Sequence, residues 1–141
     1  MKLIRRLKRD EQGAAAIEMA FALPILITLI YMFIQLAQVY RAVAGIQQAL
    51  GEGARLATLC RPTAAGCNVP TPAEITNKIQ ASVYGIGPGN FTYTTPSLTN
   101  DTVNGGQYYD LKVDYNQSTT FLFFPGPTIR VSRSKRVWVA T

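Results

Sequence analysis

Few side chains in this chain of 141 residues are equipped for covalent or acid–base chemistry. Histidine is absent, which removes the commonest general base and the commonest metal ligand. The sequence has no Ser/His/Asp set, phosphate-cradling glycine loop or metal motif, and two cysteines alone cannot fill a four-ligand zinc site. We therefore expect no enzymatic activity and no cofactor. Cys60 and Cys67 bracket a turn-rich loop, Arg61-Pro62-Thr63-Ala64-Ala65-Gly66, whereas a redox-active pair usually has two intervening residues. In an exported domain such a pair is expected to form a structural disulfide, contributing on the order of 2–3 kcal/mol.

The remaining candidate is Glu18, the one charged residue in the apolar run of residues 14–34. A carboxylate is costly to bury there unless it has a partner or a task. One role is local: near the start of a helix the macrodipole favours negative charge, and the side chain could reach back to Arg9 or to lipid headgroups. The other is a contact with a positive group that assembly provides.

The element that must position Glu18 is a membrane helix. A helix over residues 14–34 covers about the 30 Å of a bilayer's hydrocarbon core. A basic leader precedes it, with Lys2, Arg5, Arg6, Lys8 and Arg9, whereas the first basic residue beyond it is Arg41. Basic flanks stay in the cytoplasm, so the leader is expected inside and the C-terminal hundred or so residues exported. The run is longer than the 7–15 apolar residues of a secretory signal, which argues against a cleaved signal peptide. Pro24 removes one helical hydrogen bond and is expected to kink or loosen a turn. The formal charge is +6, but half of it resides in the leader, so nucleic-acid binding is not expected.

Beyond Ile34 the helix is expected to continue as an amphipathic helix to about Thr58. Leu36, Val39, Tyr40, Val43, Ile46, Leu50, Ala54 and Ala57 recur at three- and four-residue steps, with Gln35, Gln38, Arg41, Gln48, Glu52 and Arg55 on other faces. Gly45, Ala49 and Gly53 add a small-residue ridge that permits close approach of another element, in the same chain or in a neighbour.

Gly13-Ala14-Ala15-Ala16-Ile17-Glu18, after a basic leader, has the spacing of the type IV prepilin signature. Together with residues 18–24 and with Gln47-Gln48-Ala49-Leu50-Gly51-Glu52-Gly53-Ala54-Arg55, this stretch resembles the TadE-like family of pseudopilins from tight-adherence (type IVc) pilus systems. The resemblance implies cleavage by a prepilin peptidase between Gly13 and Ala14, where a residue without a side chain lets a protease approach the backbone. It also implies that Glu18 registers subunits through the new amine of Ala14, its own or a neighbour's. Met19 stands where major pilins of this system carry tyrosine, which points to a minor component. Other pilins and pseudopilins, the inner-membrane assembly platform, the peptidase and the membrane itself are the implied partners. The competing expectation is an uncleaved single-pass scaffold or envelope-binding protein with the same topology.

The exported part, residues 59–141, is expected to be a small α+β domain following the leader (1–13) and the long helix (14–58). Thr71-Pro72-Ala73-Glu74 is a capping box with proline at the first helical position, and Ile75, Ile79, Ser82 and Val83 mark one face of the helix it opens. Phe91 and Tyr93 indicate a short strand, and Tyr109, Leu111, Val113 and Tyr115 alternate with Asp110, Lys112 and Asp114 in a half-buried one. Turns are expected at Asn100-Asp101 and Asn104-Gly105-Gly106. A third strand is expected over residues 119–124, with the run Phe121-Leu122-Phe123-Phe124 either spanning the core or sitting at a subunit contact. Pro125-Gly126-Pro127 should then turn the chain into a last strand over residues 129–139. Arg133 and Lys135 interrupt its apolar face, which a bulge or a strand projecting past the sheet would explain. With Arg130 and Arg136 they form a basic cluster that reads as a solvated edge or a partner-binding patch.

Overall fold

The computed structural model of the chain describes residues 11–59, 61–63, 66–83, 87–103, 105–121 and 124–139. Helix α1 (Glu11–Ala57) has 47 residues, about 70 Å at the standard rise. A two-stranded ribbon follows, β1 (Arg61–Thr63) and β2 (Gly66–Asn68), then helix α2 (Pro72–Val83). The rest is an antiparallel sheet of β3 (Asn90–Thr94), β4 (Leu98–Asn100), β5 (Gln107–Thr120) and β6 (Pro125–Val139). The architecture is α+β, a long apolar N-terminal helix joined to a small domain of one helix and one sheet.

Strand β5 organises the sheet. Along one edge it pairs with β6 from Gln107↔Val139 to Ser118↔Thr128, and along the other it carries β3 and β4 end to end. From Tyr109 to Ser118 its faces alternate: Tyr109, Leu111, Val113, Tyr115 and Gln117 are buried, while Asp110, Lys112, Asn116 and Ser118 face water and Asp114 is half-buried. The buried face of β5 and β6 packs on α1, and α2 packs on α1 and reaches β3, so the core is one layer of helix on one of sheet.

Helix α2 starts where the capping box predicts. The Thr71 N–H donates to Glu74 Oε2 at 2.8 Å, and the Glu74 N–H returns to Thr71 Oγ1 at 3.3 Å. Ile75, Ile79 and Val83 are buried; Ser82 lies at the rim and donates to the Lys78 carbonyl.

Four expectations need correction. The buried stripe of α1 is Gln35, Val39, Ala42, Ile46, Ala49, Leu50, Ala54 and Ala57, so its upper part is rotated away from Leu36 and Tyr40, which are exposed. Ala42 admits a close approach of the loop before β3, where Gly87 adopts φ +76° with its Cβ position 3.5 Å from the Ala42 Cβ. Gln35 is buried because it bonds to backbone, as described below. Residues 119–124 are not a third strand: Thr119 and Thr120 end β5, and Phe121 and Phe124 exchange backbone hydrogen bonds across a hairpin tip. Leu122 and Phe123 lie outside the described residues.

Pro125-Gly126-Pro127 does not turn the chain but opens β6. Gly126 is required there, since a Cβ would stand 2.5 Å from Thr119 Oγ1, which itself donates to the Pro127 carbonyl. Finally, no bulge accompanies Arg133 and Lys135; the register shift falls between Ser118 and Thr120. Their partners Val113 and Leu111 are fully buried while they are exposed, so β6 overhangs the helical layer at this point.

Candidate functional site

Helix α1 divides into two halves with different surroundings. From Gln35 onward it buries its stripe in the domain. Before that, every residue from 13 to 34 is exposed except Thr28, which is half-buried, and Ile17, Phe21 and Phe33 keep 63%, 73% and 68% of their surface. The most apolar window has a mean hydropathy of 2.2, and none of its residues is buried among the described ones. Each such side chain withheld from water is worth about 1.5–3 kcal/mol, so the segment is stable only in lipid or among other apolar helices. This arrangement fits a protein that crosses a membrane once.

Gly13, Ala14 and Glu18 lie at the exposed start of this half. A Cβ on Gly13 would meet nothing within 4 Å among the described residues. Ala14 and Glu18 stand four residues apart, one above the other on one helix face. The leader residue Arg9, the local partner considered for Glu18, lies outside the described residues. Helical structure runs through Pro24 without interruption. Pro24 has no N–H to give the Ala20 carbonyl, while its own carbonyl accepts the Thr28 hydroxyl at 2.7 Å.

The lower motif is a packing seam. Ala54 is buried, Arg55 is exposed 3.7 Å from Glu52, and Gly53 lies under α2. A Cβ on Gly53 would fall 2.5 Å from Ile79 Cγ1 and 2.8 Å from its Cδ1, with Leu111 of β5 just behind. The ridge Gly45, Ala49 and Gly53 is buried, so among the described residues it serves the chain's own domain.

A second contact, not anticipated from sequence, ties the sheet to the end of the apolar half. Gln35 Nε2 donates to the Thr120 carbonyl at 2.5 Å, and the Thr120 N–H donates to Gln35 Oε1 at 3.1 Å. The register partner of Thr120 is Pro125, which has no N–H to offer, so the glutamine amide supplies what the ladder cannot. One turn earlier, the Tyr31 hydroxyl meets Thr120 Oγ1 at 3.2 Å. Beside these bonds an apolar cleft of about 240 Å³ opens between α1 and the hairpin, lined by Leu29, Met32, Phe33, Leu36, Phe121 and Pro127 among others. The signal in the sequence was a lone amide just past an apolar run, together with an apolar run flanked by proline.

The basic cluster does not form a single patch. Arg130 and Arg136 point from the outer face of β6, Arg133 and Lys135 from the inner one. Arg136 is engaged by both oxygens of Asp110 (3.0 and 3.2 Å) and lies 4.2 Å over the Tyr108 ring, whose edge meets Trp138. Donating these hydrogen bonds to the Asp110 carboxylate raises the Arg136 pKa further. On the same face Asp114 is held below the usual carboxylate range, chiefly by the Ser132 side chain opposite and also by Lys112 at 3.3 Å. Inside, the Tyr115 hydroxyl donates to Gln117 Oε1 at 2.6 Å and accepts the Gly89 N–H at 3.1 Å; burial pushes its pKa up. Cys67 lies opposite Pro62 in the β1–β2 ribbon, whereas Cys60 lies outside the described residues, and with it the expected disulfide.

Residues 13–55, under a third of the chain, match the family model for TadE-like protein, in agreement with the resemblance drawn from the motifs. No curated protein and no solved structure matches the chain. The matched stretch comprises nearly all of α1 and ends at the packing seam, so the match concerns the helix and not the sheet.

Proposed function

We propose that the chain is a minor pseudopilin of a tight-adherence pilus system, held in the bacterial inner membrane by α1 and assembled through that helix. The observation that carries this reading is the division of α1, whose matched upper half is left uncovered by the domain that packs so closely on the lower half. An uncovered apolar half needs lipid before assembly and neighbouring helices after it, with close packing replacing lipid contacts. The basic leader stays in the cytoplasm and the α+β domain faces the periplasm. The role is non-enzymatic and mechanical, and a Cys60–Cys67 disulfide closes the ribbon.

In this mechanism a prepilin peptidase cuts between Gly13 and Ala14. Gly13 is exposed, and a residue without a side chain lets the peptidase approach the backbone there. The new amine of Ala14 then stands one turn from Glu18, or beside the Glu18 of a neighbouring subunit, and the buried charge acquires a partner. Other pilins and the assembly platform receive the processed helix.

A second reading, an uncleaved single-pass scaffold, is favoured by one observation: α1 continues upstream through Gly13 to Glu11. In that case Glu18 is a local interface charge. Two variants separate the readings. Gly13→Leu is expected to block processing, and Glu18→Ala to leave a processed protein that no longer supports piliation. Normal piliation in both variants would refute the pseudopilin mechanism.

A further inference from the structure

We infer that the β5–β6 hairpin tip is a second membrane-contacting element, seated in the outer leaflet beside α1, with lipid acyl chains occupying the cleft between them. The inference rests on the reading of α1 as a membrane helix and adds to it a part of the domain that the helix alone does not predict.

Position along α1 carries the argument. Thr120 is bonded to Tyr31 and Gln35, which lie about 26 and 32 Å above Ala14 at 1.5 Å per residue. The hydrocarbon core is about 30 Å thick. If it begins at Ala14, the tip is level with the outer boundary; if it begins nearer Glu18, the tip is inside. Phe121 and Pro127 line one cleft with Leu29, Met32, Phe33 and Leu36, so the described apolar part of the hairpin lies alongside the last two turns of the crossing.

Composition and bonding agree with that position. Phe124 keeps 59% of its surface exposed and lies tilted against Phe121 at 4.8 Å, forming a wholly apolar aromatic surface suited to the acyl chains. Backbone groups that meet lipid must be satisfied internally. Here Phe121 and Phe124 pair with each other, Gln35 satisfies Thr120, and Thr119 satisfies the Pro127 carbonyl. The nearest basic residue on β6, Arg130, lies five positions up the strand from Pro125, about 16 Å away and within reach of the headgroups.

Tryptophan quenching tests this in vesicles of phosphatidylcholine and phosphatidylglycerol with brominated acyl chains. The native chain has one tryptophan, Trp138, thirteen strand positions from Pro125 and so about 43 Å from the tip. Its emission is expected to be the same in brominated and ordinary lipid. In F124W/W138F the emission should fall severalfold in brominated lipid, at every protein-to-lipid ratio. In F21W/W138F it should fall likewise, because Phe21 lies in the crossing itself. Quenching in F21W/W138F without quenching in F124W/W138F would overturn the tip contact and leave the membrane helix standing; no quenching in either would overturn both. A blue-shifted but unquenched indole at position 124 would place the tip against protein and also overturn it. Should W138F disturb the fold, F124W in the native background gives the same answer by difference.

Discussion

Gly53 offers the sharpest test of how the long helix is joined to its domain. Gly51 and Gly53 occupy the same turn of α1, yet a Cβ on Gly51 would meet nothing within 4 Å among the described residues. Gly51→Ala should therefore show only the helix-propensity gain, about 0.8–1 kcal/mol. On Gly53 the same methyl would stand 2.5 Å from Ile79 Cγ1, and Ile79 is β-branched, buried and backed by Leu111. Overpacking of this kind costs about 1–3 kcal/mol, which outweighs the propensity gain and leaves Gly53→Ala destabilising by roughly 0–2 kcal/mol. Ile79→Ala removes the clashing atoms. In that background, itself less stable by about 2–5 kcal/mol, Gly53→Ala should change sign and become stabilising, a coupling of about 1–3 kcal/mol. Urea unfolding in mild detergent, followed by Trp138 fluorescence, measures all four variants against the wild type. Gly53→Ala as stabilising as Gly51→Ala, or no change of sign with Ile79→Ala, would refute the seam.

Two further predictions concern the sheet. Tyr115→Phe removes the acceptor of the Gly89 N–H and the donor to Gln117 Oε1, and should cost about 1–3 kcal/mol by urea unfolding while leaving the fold intact. Ser132→Ala should raise the Asp114 pKa toward the ordinary range in a carboxyl NMR titration, because the Ser132 side chain is the main cause of its depression. A depressed carboxylate contributes stability above its unfolded pKa and loses it as pH falls through the folded one. The stability gap between wild type and Ser132→Ala should therefore hold at neutral pH and close in acid.

Much of the fold was legible because local rules and tertiary packing agree. The capping box places α2 to the residue, and the alternation at Tyr109, Leu111, Val113 and Tyr115 states which face of β5 is buried. The sequence pattern failed where one residue answers to a backbone partner far along the chain. Gln35 looks solvent-facing by type, and only the pairing of Thr120 with a proline explains its burial. The strand β4 and the β1–β2 ribbon are three residues each, too short for periodicity to register. Arg133 and Lys135 break an apolar face that is real, because an edge strand can overhang its covering helices. At the candidate site, the motif residues stand on α1 as their spacing implies, but Gly53 and Ala54 serve the chain's own packing while Gly13 and Glu18 face outward.

The central claim is that the exposed upper half of α1 is processed and then assembled. Intact mass and N-terminal sequencing of the membrane-extracted protein, with and without a co-expressed prepilin peptidase, test it most directly. A peptidase-dependent mature chain that begins at Ala14 is expected. Retention of residues 1–13 in the presence of a peptidase active on a control substrate would contradict it and leave the single-pass scaffold as the better description.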